Sequence, residues 1–524
     1  MLISITATAI PKITSVFNSL NDVGWYGSSY LLTTTALQPS FGKIYTNFNV
    51  KWTYLTALLI FECKSPIINV SKRGGELAAD GHPVGSIICA AAQNSVMLIV
   101  GRAIAGVGAS ALFSGGMTIV GFSVPLKQRP IYIAALSSMF GISSVVGPIM
   151  GGALTDRASW RWCFWINLPF GAVALLTVGI FFKNPKRKVN TLTFKQKIAE
   201  IDLLGAFFLI CAIVCLLLGL QWGGTTYPWN NSKVWGTLLG FGLILICFIG
   251  IQLKRGDRAT IQPRILRQRT LLASSLFSLF LVMGIYTHIF FLPFYFQAVK
   301  GTTAEGSGIR SIPYLVSITL ASLITGGTIT AIGYYTPFMW FSAAIFTVGA
   351  GLIYTLDVPA YAGKWVGYQL LAGLGAGAGI QIPFVAVQTV LNSKDMPTGS
   401  QFPCLFPSLC LRFIWLKSLT DAIAIFFNSL GGAFSISIAQ NIFSNKLAEE
   451  IPKQTTGLSA QEIISAGATF VREITPADQL QGVLRAYNIA LTNAFILPIA
   501  VGGLALIASL FVSATTWSSL SISK

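Results

Sequence analysis

Apolar residues in this chain come in long unbroken blocks, each closed off by a few polar or charged positions, and never in the every-second-residue alternation of a barrel strand. The blocks fall at 1–12, 24–42, 53–62 with 84–95, 97–121, 130–154, 162–182, 202–222, 233–253, 271–298, 308–331, 335–356, 364–391, 422–442 and 490–514. A helix of about 20 residues, rising 1.5 Å per residue, crosses a hydrocarbon core of about 30 Å. The pattern therefore predicts an all-α membrane protein with fourteen crossings, the third of them in two pieces.

Composition agrees with the pattern. Of 524 residues, 53% are hydrophobic and only 10% charged, with a mean hydropathy of +0.69; a water-soluble fold of this size would not show such values. The net charge of +18 does not point to nucleic acid, because the basic residues cluster in short loops between apolar blocks. Lys183, Lys186, Arg187, Lys188, Lys195 and Lys197 occupy one such loop, and Lys254, Arg255, Arg258, Arg264, Arg267 and Arg269 another. Basic loops face the cytoplasm as a rule, which predicts that Lys43, Lys51, Lys127, Arg129 and both termini lie there too.

The loop after the seventh block then faces outward, with the glycosylation sequon at Asn230. So does the segment 443–489, where Ser459 with Glu462 and Thr475 with Pro476 read as short helix starts. Cysteines such as Cys89, Cys163, Cys211, Cys215 and Cys247 sit inside apolar blocks without metal-ligand or paired spacing, so packing is their expected role. No phosphate-binding G-x-x-x-x-G-K-[ST] loop is present. No cofactor and no metal are expected.

Candidate chemistry lies where polar groups are stranded in crossings. "LIVGRAIAGVGAS" puts Arg102 in the fourth, where a cation needs a polar partner or water. "GISSVVGPIMGGALTD" spaces Gly141, Gly147, Pro148, Gly151 and Gly152 along the fifth, a face allowing close helix approach and a bend at the proline. Tyr30 and Gln38 on the second crossing, Tyr286 and His288 on the ninth, Gln381 on the twelfth and Asn428 on the thirteenth are candidates for a substrate cavity. His288 also fits a packing role.

Taken together these segments resemble the major facilitator superfamily, and within it the fourteen-spanner drug:proton antiporters of fungi. Arg102 with Gly106 is similar to that family's fourth-helix motif, and "GISSVVGPIMGG" to its fifth-helix antiporter motif. "DVGWYGSSYLLTTTALQPSFGKIY", "WRWCFWINLPFG", "ATIQPRILRQRT", "FLPFYFQAVKG" and "GLGAGAGIQIP" extend the likeness over nearly the whole chain. The resemblance implies a helical bundle of two pseudo-symmetric halves plus two extra helices: an N-terminal six-helix bundle over 1–182, a linker with the extra pair over 183–270, and a C-terminal bundle over 271–524. It further implies proton coupling at Arg102, a gating loop carrying Gly42, Lys43 and Lys51, a monomer in the plasma membrane, and protons and a small organic molecule as partners. No enzymatic activity is implied.

Two departures stand out. The gating loop, "GKIYTNFNVKW", lacks the acid that the family pattern carries, and Leu2 occupies the place of a first-helix acid, so the N-terminus is expected to be truncated or replaced. Two passages also read as insertions: a polar, charged one that splits the third crossing, and one rich in Phe, Leu, Pro, Ser and Cys just ahead of the thirteenth. Deleting residues 63–83 joins "ALLIFE" to "VGSIICAAAQ", and deleting 401–421 joins "KDMPTGS" to "AIAIFFNSLGG"; each passage is 21 residues long. Both read as retained introns translated in frame, with genuine loop insertions as the alternative. Export of drugs, toxins or secondary metabolites is the expected function. The alternatives are a siderophore or nutrient importer of the same plan, a non-transporting membrane sensor, and a non-functional product of a mis-spliced gene.

Overall fold

The computed structural model describes residues 5, 9, 13, 16, 17, 23–62, 86–124, 128–182, 202–223, 227–256, 259–261, 263–302, 304–390, 407–455, 472 and 475–512. Among these the regular structure is helical, apart from an isolated bridge between Gly223 and Tyr227. The N-terminal half contributes α1 (Val23–Asn47), α2 (Val50–Glu62), α3 (Ser86–Ala90), α4 (Ser95–Ser123), α5 (Arg129–Arg157) and α6 (Asn167–Phe181); the extra pair is α7 (Leu203–Trp222) and α8 (Ser232–Arg255). The C-terminal half contributes α9 (Arg269–Phe294), α10 (Ile312–Ile332), α11 (Thr336–Tyr354), α12 (Ala362–Ile380), α13 (Pro407–Gln454), α14 (Leu480–Ala494) and α15 (Ile496–Leu510). Helix starts follow local chemistry: Asn94 accepts from Met97 N at 2.8 Å to open α4, Asn231 accepts from Lys233 N at 2.9 Å to open α8, and prolines stand in the first turn of α5, α10 and α11.

Ten helical stretches among the described residues are long and apolar enough to cross a membrane, corresponding to the fourth and to the sixth through fourteenth expected crossings. The second and fifth expected crossings are helices of 25 and 29 residues. The first crossing, the passage 63–83, the basic loop 183–201, Ser459 and Glu462 lie outside the described residues or almost wholly so.

Several boundaries move from expectation. α1 continues through Gly42 and Lys43 to Asn47, so the expected gating loop shrinks to Phe48 and Asn49, with Lys51 already inside α2. "GKIYTN" reads as loop in sequence, yet its backbone is the last turns of α1, and only Phe48 and Asn49 separate α1 from α2. α13 runs from Pro407 to Gln454, absorbing most of the passage 401–421 as helix and shortening the outer segment. The helix expected to start at Thr475 starts instead at Leu480, after a turn closed by Gln479 N donating to Pro476 O at 3.0 Å. The ninth crossing ends in a π-helical turn, Tyr295–Val299, and the twelfth is interrupted at Gln381.

The third crossing is broken in sequence and continuous in space. Ser86 Oγ donates to Phe61 O at 3.1 Å, the bond a helical serine makes to the carbonyl four residues before it. Removing 63–83 places Ser86 four residues after Phe61. Both pieces also lie on one stripe of α4. A Cβ at Gly101 would come 2.9 Å from Cys89 Sγ, one at Gly108 would come 2.8 Å from Phe61 N, and one at Gly115 would come 2.6 Å from the Tyr54 ring. Glycines spaced by seven on α4 thus admit the side chains of α3 and α2 closely and, at Gly108, the backbone of α2 itself.

The halves meet along two seams, α1 against α13 and α5 against α10. α7 packs on both α1 and α13, with Leu32, Ala36, Leu209, Ile213, Leu217, Phe426 and Ala433 in one apolar cluster, so the extra pair lies along the first seam. Its anchor is Asp202, whose side chain is fully buried. The carboxylate accepts from Gly205 N at 2.8 Å, Gln252 Nε2 at 2.8 Å, and Thr260 N and Oγ1 at 3.1 and 3.0 Å, and pairs with Arg255 at 3.1 Å. Burial pushes its pKa up, but the hydrogen bonds from Gly205, Gln252 and Thr260 outweigh burial and hold it below the usual carboxylate value.

Asp202→Ala strips the cap and leaves Gln252 and Thr260 without their acceptor, at a cost of about 2–4 kcal/mol. Thermal unfolding in detergent is expected to show it as a lowered midpoint. Because the folded pKa is depressed, the contribution of Asp202 is complete above the unfolded value and fades as pH falls through the folded one. The gap between wild type and variant is therefore expected to narrow only in acid; a constant gap at all pH values would contradict this.

Candidate functional site at the seam between the halves

Four polar residues of α1 share one face: Tyr30, Thr33, Thr34 and Gln38 stand at helical spacing. Thr33 Oγ1 donates across to Ala103 O at 2.7 Å and Thr34 Oγ1 to Gly106 O at 3.1 Å, so hydroxyls of α1 tie directly to the backbone of α4. Gly106 makes this possible, since a Cβ there would collide with Thr33 and with the carbonyl of Tyr30. Arg102, one turn earlier on α4, is 2% exposed, with its guanidinium carbon 5.5 Å from the centre of the Tyr30 ring. A buried guanidinium over an aromatic face is stabilised by the ring quadrupole as well as by hydrogen bonding.

The C-terminal half supplies the opposite wall. Ser429 Oγ of α13 donates to Gln38 Oε1 of α1 at 2.9 Å, a hydrogen bond across the seam. Beside it Asn428 Nδ2 donates to Ser278 Oγ of α9 at 3.3 Å. Tyr286 of α9 lies within electrostatic range of Tyr30 and against Gly432, where a Cβ would come 3.3 Å from its ring. Of the expected cavity residues, Tyr30, Gln38, Tyr286 and Asn428 therefore converge on the α1–α9–α13 junction, with Arg102 behind Tyr30.

His288 and Gln381 lie elsewhere. His288 is fully buried inside the C-terminal bundle, its Nδ1 3.2 Å from Tyr314 Oη and its ring packed against Phe346 and Phe495. Gln381 is turned onto Ser322: its Nε2 donates to the Ser322 carbonyl at 2.8 Å and its Oε1 accepts from the Ser322 hydroxyl at 3.0 Å. Both join α9 or α12 to α10 within one half.

On α5, Gly147 and Gly151 are buried, Gly152 has open space where a Cβ would go, and Cys163 Sγ approaches Gly151 O at 3.8 Å within the N-terminal half. Gly141 and Pro148 lie in the same uninterrupted helix. Gly42 and Lys43 are buried in the last turns of α1, and Lys51 Nζ donates to Gly179 O at 2.7 Å, fastening the start of α2 to the end of α6. Asn230 is exposed in the turn before α8.

Two residues escaped the sequence reading. Ser429 was hidden because serine is common in membrane helices, and only its position opposite Gln38 gives it meaning. Glu62 is buried at 4% exposure; in sequence it stands at the lip of a polar passage and looks like the first loop residue.

Long apolar helices that meet along two seams, with polar groups of both ends of the chain facing one another at one of them, define a polytopic helical membrane protein. The sequence profile of the Major Facilitator Superfamily matches residues 83–402. The chain is 43% identical over 503 residues to the MFS-type transporter astH of Aspergillus oryzae, covering 96% of this chain and 82% of that one. It is 42% identical to the MFS-type efflux pump MFS1 of Arthroderma benhamiae, over 97% of this chain and 87% of that one. Efflux pump roqT of Penicillium rubens is 41% identical, over 99% and 88%. Among solved structures, the proton:xylose symporter XylE superposes with a TM-score of 0.54 at 14% identity, covering 99% of this chain and 95% of that one. The chain belongs to the Major Facilitator Superfamily.

Proposed function

We propose that the protein exports small organic molecules, of the drug, toxin or secondary-metabolite kind, in exchange for protons. The two halves rock about the α1–α13 and α5–α10 seams so that the junction of α1, α9 and α13 faces each side of the membrane in turn. The observation that carries this reading is the Gln38–Ser429 hydrogen bond across a seam, about two turns of α1 beyond Tyr30, against which the buried Arg102 lies. A contact between halves at mid-membrane has to break when the halves part, and a solute's polar groups can replace it. Phenols, amides and hydroxyls in an otherwise apolar wall suit an amphipathic organic solute. Export as the direction is supported by the efflux names of the fungal relatives and by the glycine face of α5. The proposed address is the plasma membrane, and the proposed unit a monomer.

The same reading takes residues 63–83 and 401–421 as foreign to the transporter. For the first passage the helical register between Phe61 and Ser86 supports it.

Cells producing the protein, in full-length and shortened form, are expected to retain less rhodamine 6G, azole or fungal toxin than control cells. A protonophore is expected to abolish the difference. Export that persists with the gradient collapsed would refute proton exchange, and no export of any compound in the panel would refute the function.

A further inference from the structure

Glu62 is the last residue of α2, about 18 Å along the helix from Val50, which is mid-depth for a core of about 30 Å. Its side chain lies between helices, where a Cβ added to Gly171 of α6 would come 2.6 Å from its Cδ and 2.8 Å from its Oε1. The residue is 4% exposed and Oε2 has no hydrogen-bond partner. The charged side chains on the helices packed against this site are Arg102 of α4 and Lys43 of α1, with Lys51 on α2 itself; none forms a described ion pair with Glu62. The other titratable groups there are Tyr26, Tyr30 and Tyr45 of α1, Tyr54 of α2 and Cys89 of α3. An acid at membrane depth normally buys its place by pairing or by function.

We infer that the Glu62 carboxyl, seated in the notch left by Gly171, is a proton-binding site that loads and unloads during transport. With the carboxyl protonated, α2 and α6 close over a neutral group. Loss of the proton to water leaves a carboxylate that this dry interface does not hold, so unloading requires α2 and α6 to loosen and admit water. The proton alone moves, from carboxyl to water and back. The inference deepens the proton-exchange reading and rests on it for its part in transport, while proton binding itself stands on the geometry.

Infrared difference spectroscopy of the purified full-length chain during pH titration, with transport of rhodamine 6G by the same protein in liposomes, tests it. A protonated-carboxyl band that titrates in the wild type is expected to vanish in Glu62→Gln, and the pH dependence of transport to flatten by roughly tenfold in range. Rhodamine exchange at equal pH on both sides is expected to persist, because Gln keeps the shape. Gly171→Ala, which crowds the carboxyl from α6, is expected to shift the band and its midpoint, and supplies the answer if the Gln variant does not fold. An unchanged band in either variant overturns the proton site. A band lost in Glu62→Gln while wild-type transport ignores the pH gradient leaves the site standing and refutes proton exchange instead.

Discussion

Removing residues 63–83 and 401–421 together is expected to leave the helical bundle intact and to raise the amount of correctly folded, active protein several-fold. The argument is one of register. In the shortened chain Ser86 stands four residues after Phe61, matching the 3.1 Å bond it makes now, and Cys89 stands seven after Phe61, which itself stands seven after Tyr54. Those three residues face Gly101, Gly108 and Gly115 of α4, themselves spaced by seven. A random loop of arbitrary length has no reason to restore both the four-residue and the seven-residue relation. With the insertion present, the ends of α2 and α3 have backbone groups that covalent continuity would satisfy within the bilayer, at a cost of about 2–4 kcal/mol for even one or two unmet groups. Size-exclusion profiles and thermal midpoints of the two forms decide the matter. A shortened chain that aggregates, or melts below the full-length one, would defeat the proposal, as would a dominant spliced message that retains both stretches.

The second large effect is expected at Arg102. Arg102→Ala removes the buried cation above Tyr30 while leaving the threonine contacts between α1 and α4 in place, because those run through Ala103 O and Gly106 O. Gradient-driven export is expected to fall by about a hundredfold, close to 2.7 kcal/mol in activation free energy, with surface expression near normal. Arg102→Lys is expected to recover part of it, since the charge survives but the planar guanidinium does not. Export unchanged in Arg102→Ala would take the residue out of the mechanism.

Much of the bundle was legible because bilayer thickness imposes a length that any reader of hydropathy can measure. Ten stretches long and apolar enough to cross occur where apolar blocks predicted them. The errors came at ends. Nothing in "GKIYTN" says whether α1 stops at Gly42 or at Asn47, because a helix end in a membrane protein is fixed by what packs on it. Likewise "TPADQL" carries good capping residues at Thr475, but the turn at Pro476–Gln479 delays the helix to Leu480.

The candidate site divides the same way. Arg102, Tyr30, Gln38, Tyr286 and Asn428 could be nominated from polarity within apolar runs. His288 and Gln381 satisfy the same criterion and serve the inside of one half, since hydrophobicity reports depth and says nothing about azimuth. Ser429 and Glu62 failed the criterion and were placed only by their neighbours.

By itself the sequence determined that this is a membrane-spanning helical protein, where its crossings run and which polar groups lie at depth, because each of these depends on composition along a line. Only the tertiary structure decided which groups face one another across a seam, which stripe of α4 the third crossing packs on, and that Glu62 sits against Gly171. Those are relations between residues distant in the chain, set by close packing of helix faces, and no local pattern encodes them.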